Sequence, residues 1–245
     1  MTPRILLAVA GRVLNQIRRD HRTLAMLLVL PCALMTLLWW MFDDLTFRAL
    51  GPALLALFPF IIMFLVTSVT TLRERTSGTL ERLLAMPMGK LDFLGGYALA
   101  FGLVAAVQSA LAVGLSVLVL GLDVQGPVWV LTLVAIADAV LGTALGLFVS
   151  AFARTEFQAV QFIPLVIVPQ FVLSGILFPV SSEPQALQYI SNVLPLTYAV
   201  NGMRDIMVKG ADLTSSALLL DAGVVAGFAV LLIVAGTATL RRRLG

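Results

Sequence analysis

Few side chains in this sequence are equipped for chemistry, and that scarcity narrows what it can do. Inside its long apolar stretches the conspicuous polar residues are Gln108, Asp138, Gln161 and Gln170. Of these only Asp138 ionises. A charged carboxylate at the centre of a bilayer costs about 2.5–3.5 kcal/mol on insertion scales, so Asp138 must face protein or water, or carry a proton. Two roles fit it: a pathway or gating residue, or a helix-packing hydrogen bond to a nearby Ser or Thr. Other raw material for catalysis is absent. The one histidine, His21, stands among arginines and cannot build a metal cluster alone. Gly89-Lys90 is followed by Leu91, so no G-x-x-x-x-G-K-[ST] phosphate loop occurs. No zinc-protease helix or G-x-S-x-G nucleophile elbow is found. The sequence therefore reads as a non-enzyme that binds no metal or cofactor of its own.

The elements that must position these residues are six long apolar runs: Leu24–Phe42, Gly51–Leu72, Phe93–Leu122, Val128–Phe152, Ala159–Phe178 and Ala217–Leu240. Each is long enough, or nearly so, to cross a hydrocarbon core of roughly 30 Å as a helix. Within lipid only helices or closed barrels satisfy the backbone, which predicts an all-α polytopic membrane protein. Composition agrees, with 60% apolar residues, 12% charged residues and a mean hydropathy of +1.03. The net charge of +3 is explained by topology and gives no case for nucleic acid. With both termini cytoplasmic, thirteen Arg and Lys fall inside, and only Arg48, Arg204 and Lys209 fall outside. That split obeys the positive-inside rule. Cys32 has no possible partner within the chain. A removed signal peptide is not expected, since no small-x-small cleavage site follows the first apolar run.

One domain is expected over residues 1–245, with an interfacial helix at 1–23, five spans within 24–178, an outer segment at 179–216 and the sixth span at 217–240. Ile5, Val9, Val13 and Ile17 recur every four residues, with Arg12 and Arg19 off that stripe. This pattern predicts an amphipathic helix lying at the cytoplasmic interface. The outer segment is too long for a turn. Spaced apolar residues predict short helices over Pro184–Leu194 and Leu196–Val208, separated by Pro195 and either re-entrant or flat on the surface. Gly142-x-x-x-Gly146 and Gly223-x-x-x-Gly227 both permit close helix approach, without saying to what.

The inner loop, residues 73–92, is more than a connection. Leu80, Leu83 and Leu84 share one helical face, Glu81 and Arg82 lie on the other flank, and Pro87 stops the helix. A short amphipathic helix is predicted to lie on the membrane surface and offer its charges to something cytoplasmic. Here the chain resembles the ABC-2 type permeases, the membrane subunits of ATP-driven exporters, among them the daunorubicin-resistance permeases. Glu74, Gly78-Thr79-Leu80-Glu81-Arg82-Leu83 and Pro87 carry the first likeness, Phe171–Pro179 the second, and Leu194-Pro195-Leu196-Thr197-Tyr198 with Arg204 the third. One departure is visible. Such permeases often have Gly-Lys entering the third span, and this chain has Gly96-Tyr97.

The resemblance implies a six-span half-transporter in a bacterial plasma membrane, paired with a second permease and resting on two separate ATPase subunits that hold ATP and Mg. Glu74, Gly78, Thr79, Leu80, Glu81 and Arg82 would form the coupling site. The second and fifth spans would line the pathway, which makes Phe58, Phe60, Phe64, Phe162, Gln170 and Phe171 its candidate lining. Pro179, Pro195, Tyr198 and Arg204 would mark the outer motif. The substrate would be apolar or amphipathic: a drug, a lipid or a glycan. Two other classes stay open on the residues alone. One is a proton-coupled secondary transporter using Asp138, and the other is a non-transporting membrane assembly subunit.

Overall fold

The computed structural model describes residues 3–77 and 90–239. The predicted coupling helix, with Gly78, Thr79, Leu80, Glu81 and Arg82, lies outside the described residues. Within them every regular element is helical: α1 Pro3–Arg19, α2 His21–Met41, α3 Asp44–Thr76, α4 Lys90–Leu118, α5 Val128–Ser150, α6 Glu156–Leu173, α7 Gln185–Ser191, α8 Pro195–Lys209 and α9 Ser216–Thr239. Six of them (α2, α3, α4, α5, α6 and α9) are long and apolar enough to span a bilayer.

Local chemistry sets the helix ends. Asp20 separates α1 from α2 and caps α2, accepting from the amides of Arg22 and Thr23 at 3.2 Å. Asp43 caps α3 through the Thr46 amide at 3.0 Å, and Thr155 caps α6 through the Gln158 amide at 3.1 Å. Gly121, at φ 68°, lets the chain turn back after α4, and the Leu122 amide closes onto the Ser116 carbonyl at 2.9 Å.

The centre of the bundle is a parallel pair, α3 and α5, packed backbone to backbone. A Cβ added at Gly142 would lie 2.4 Å from the Phe60 carbonyl oxygen, and one at Gly146 would lie 2.6 Å from that of Phe64. Only glycine permits this approach. The second glycine pair behaves differently, because nothing stands within 4 Å of the Cβ positions of Gly223 and Gly227. Around the α3–α5 pair stand α4, α8 and α9, with α2 and α6 further out. The helices α2, α6 and α9 present Val29, Leu37, Leu165, Val168, Val230 and Leu231 outward. In water that would be an expense; against lipid chains it costs nothing.

Three expectations change. The apolar run of the fifth span continues to Phe178, but α6 stops at Leu173. Ser174 caps it and Gly175 takes φ 79°, so residues 174–178 form a loop. The second span is a 33-residue helix, because Asp43 starts it before the apolar run and the charged segment Arg73–Thr76 continues it beyond. In the outer segment the expected helix over Pro184–Leu194 is shortened to α7, Gln185–Ser191, with Leu187 and Ile190 exposed. The neighbouring α8 instead inserts into the bundle, with Leu196, Ala199, Val200, Met203 and Ile206 buried against α3, α5 and α9.

Candidate coupling site and intramembrane polar residues

The last turn of α3 and the first turns of α4 flank residues 78–89, and both are tied to α1. Val9, Ala10, Val13 and Ile17 bury the predicted stripe against Phe93, Leu94, Tyr97 and Phe101. Gly96 lets the helices touch, since a Cβ there would meet the side chain of Val9 at 2.7 Å. Arg12, which stands off the stripe, still turns inward. Its guanidinium pairs with the carboxylate of Glu74 at 3.3 Å and donates from Nη2 to the Tyr97 hydroxyl at 2.6 Å. Glu74 is nearly buried and Arg12 about one-third exposed. One arginine thus joins α1, the end of α3 and the start of α4. Hydropathy could not reveal this link, because a charged residue off an apolar stripe reads as solvated. Tyr97 suits the place, since its hydroxyl accepts from Arg12, where a lysine would repel it.

Two more contacts fasten the same end of α3. Arg73 Nε and Nη2 grip the Glu156 carboxylate at 2.9 and 3.1 Å, joining α3 to α6. Arg75 donates to the Ser150 carbonyl at the end of α5. The α3 terminus is therefore connected to α1, α4, α5 and α6 just before residue 78.

The phenylalanines of the candidate pathway divide. Phe60 and Phe64 are fully buried in the α3–α5 packing, while Phe58, Phe162 and Phe171 are partly buried against the same core. None of the five projects fully outward. Gln170 is buried, and its side chain joins α6 to α8: Oε1 accepts from the Leu196 amide at 3.4 Å and Nε2 donates to the Val166 carbonyl at 3.4 Å. Gln161 is exposed on the outward face of α6.

Gln108 and Asp138 are both fully buried, and their side-chain oxygens and nitrogen find no hydrogen-bond partner among the described residues. The serine or threonine partner that would make Asp138 a simple packing residue is not seen. The nearby hydroxyls are committed elsewhere: Ser109 donates to the Ala135 carbonyl at 3.1 Å, and Thr143 to the Ala139 carbonyl at 3.1 Å.

At the opposite end, the outer motif is assembled around α8. Pro195 opens the helix at its first turn, where its missing amide costs nothing. The Thr197 hydroxyl donates to the Ser191 carbonyl at 2.8 Å, and the Tyr198 hydroxyl to the Asn192 carbonyl at 2.7 Å. The turn between α4 and α5 rests on the other end of α8, where the amides of Gln125 and Gly126 donate to the carbonyls of Met207 and Ile206 at 3.1 and 3.0 Å. Arg48 bridges Asp44 and Asp123 beside it. Pro179 is exposed and precedes a single 3-10 turn, Val180–Ser182.

The sequence has known relatives. Residues 5–208 match the family model described as ABC-2 type transporter. The chain is 32% identical over 164 residues to ABC transporter G family member 20 of Dictyostelium discoideum, covering 67% of this chain and 22% of that protein. It is 27% identical over 200 residues to the linearmycin resistance permease protein LnrN of Bacillus subtilis, covering 81% and 50%. With the inner membrane transport permease YhhJ of Escherichia coli it shares 32% identity over 151 residues, covering 61% and 40%. The matches span half or less of these curated relatives. A family match over most of the chain, six apolar helices and the assembly around α3 and α8 lead to one conclusion: the chain belongs to the ABC-2 type transporter family.

Proposed function

We propose that this chain is the membrane-spanning permease of an ATP-driven exporter in a bacterial plasma membrane. In this reading both termini and residues 73–92 face the cytoplasm, and residues 179–216 face outward. Two permeases pair and rest on two ATPase subunits, which hold ATP and Mg. The exported solute is apolar or amphipathic: a drug, a lipid or a glycan.

The observation that carries this reading is the Arg12–Glu74–Tyr97 linkage. It locks together the helix ends on both sides of residues 78–89. A push delivered to that loop by a partner reaches α1, α3 and α4 together, and through Arg73 and Arg75 it reaches α6 and α5. Gly78, Thr79, Leu80, Glu81 and Arg82 are assigned to receive the push, with Glu81 and Arg82 as the residues that contact the ATPase. The printed names of relatives agree in kind, being a resistance permease and transport permeases. A proton-coupled mechanism through Asp138 is less well supported, because its carboxyl is sealed from solvent.

The test is Glu81→Lys, with Asn192→Lys at the opposite end as control. Membrane abundance should be preserved in both. ATPase co-purification and export should fall in the Glu81 variant alone, by about 2–5 kcal/mol of docking energy if the pair is desolvated. Normal co-purification and export would remove Glu81 from the coupling mechanism.

A further inference from the structure

After Leu173 the chain leaves α6 and forms the loop 174–178, which lies against α8. A Cβ added at Gly175 would stand 3.4 Å from Arg204 Nη1. The guanidinium of Arg204 thus lies directly on the loop. It is half-buried, and burial draws its pKa below the ordinary arginine value. Yet it makes no hydrogen bond or ion pair with any described residue. The adjacent carboxylate, Asp205, is taken by Lys209 at 2.6 Å. Glu183, in the same outer segment, accepts from the Ser191 hydroxyl at 2.7 Å.

The loop itself has unmet donors. Ser174 Oγ is fully buried and has no partner among the described residues. The amides of Gly175 and Ile176, both buried residues, donate to no acceptor among them. Buried amides without an acceptor are rare, because each loses its hydration for nothing in return. A half-desolvated arginine without a counter-ion adds to the same deficit. Successive loop amides, a hydroxyl and a guanidinium are together the donor set that holds an oxyanion. The carbonyl end of α6 favours a cation nearby, but it does not use the arginine's donors.

We propose that Arg204, the Ser174 hydroxyl and the amides of Gly175 and Ile176 form a binding site for an anionic oxygen group, a phosphate or a carboxylate. The group belongs either to a lipid headgroup or to a free solute. The site is separate from the coupling end of the bundle and does not depend on it.

The experiment uses the purified full chain in phosphatidylcholine nanodiscs. Phenylglyoxal modifies arginine, and peptide mass spectrometry reads the rate at each position. Arg22 and Arg154, both exposed, are internal references. Inorganic phosphate is added in one arm, and phosphatidylglycerol replaces part of the lipid in the other. Modification of Arg204 should slow about tenfold relative to the references, the change expected for one charge-assisted hydrogen-bonded contact. Slowing by phosphate alone identifies a solute site, and slowing by phosphatidylglycerol alone a lipid site. In Ser174→Ala the protection should weaken severalfold. An Arg204 rate that follows the references in both arms overturns the proposal.

Discussion

The two glycine pairs give the sharpest test of how this bundle is held. Alanine at Gly142 would place a methyl group 2.4 Å from the Phe60 carbonyl oxygen and 3.1 Å from Phe60 Cα. Those are backbone atoms and cannot rotate aside, so α3 and α5 must separate. Overpacking of this kind costs about 1–3 kcal/mol. The gain in helix propensity from Gly to Ala offsets up to ~1 kcal/mol of it. With the full offset the net loss is about 0–2 kcal/mol, which for a chain of this length lowers Tm by up to roughly 8 °C. At Gly223 the same substitution meets open space, and only the propensity gain remains. Gly223→Ala should therefore be neutral or slightly stabilising. The assay is thermal unfolding of each purified variant in one detergent, followed by size-exclusion chromatography. A Gly142→Ala protein as stable as Gly223→Ala would refute the claim that the α3–α5 contact is held by backbone proximity. The double variant Gly142→Ala/Gly146→Ala should lose less than the sum of the singles, because one displacement of the helices relieves both clashes.

Three further outcomes are expected. Glu74→Gln should destabilise the protein by about 1–2 kcal/mol, less than a fully buried pair would lose because Arg12 is one-third exposed; a double-mutant cycle with Arg12→Gln that shows no coupling would sink the pairing. Asp138→Asn should fold and export nearly as well as the parent, since no cation or donor faces the carboxylate among the described residues, whereas Asp138→Lys should fail to accumulate; loss of export in a well-folded Asp138→Asn would restore a proton-carrying role. Asp20→Ala should cost about 1 kcal/mol at neutral pH through loss of the α2 cap. The Thr23 hydroxyl holds the Asp20 pKa below its ordinary value, so the cap's contribution is full above about pH 4 and disappears as pH falls through the folded value; Tm curves of parent and variant should converge there, and a constant gap would contradict the assignment.

Much of the fold was legible because the bilayer imposes a length on apolar segments. The six runs became the six long helices, and the four-residue spacing of Val9, Val13 and Ile17 became the buried face of α1. What failed to show was anything that periodicity cannot encode. The Ser174-Gly175 pair that ends α6 is a turn signal, but apolar residues continue to Phe178 and a lone glycine is tolerated in membrane helices, so the run was read through it. The burial of α8 was undecided for another reason: it is too short for a span, and Asn201, Arg204, Asp205 and Lys209 interrupt its apolar pattern, so a re-entrant and a flat helix read alike. Identical G-x-x-x-G spacing concealed opposite surroundings, since spacing fixes which residues share a face and not what that face meets. At the candidate site, Glu74 was named from family likeness, but its partner Arg12 lies 62 positions away, and Tyr97, which Arg12 also holds, lies 85 positions from that arginine, so the three come together only through tertiary packing.

The length of α3 has a mechanical consequence. Its 33 residues extend over roughly 50 Å at 1.5 Å per residue, with Pro52 and Pro59 in the arm toward Asp44. Clamped to α5 near its middle by Gly142 and Gly146, that helix has a fulcrum. With about 27 Å from the clamp to Asp44 and about 18 Å to Glu74, a tilt of about 5° would sweep the Asp44 end by roughly 2.4 Å and the Glu74 end by roughly 1.6 Å in the opposite direction. Gearing follows from where the clamp sits: moving it toward Glu74 would lengthen the far arm and amplify the stroke. Relocating the small-residue pair by one helical turn along α5 would therefore retune the travel at the distant end without touching any residue that meets a solute.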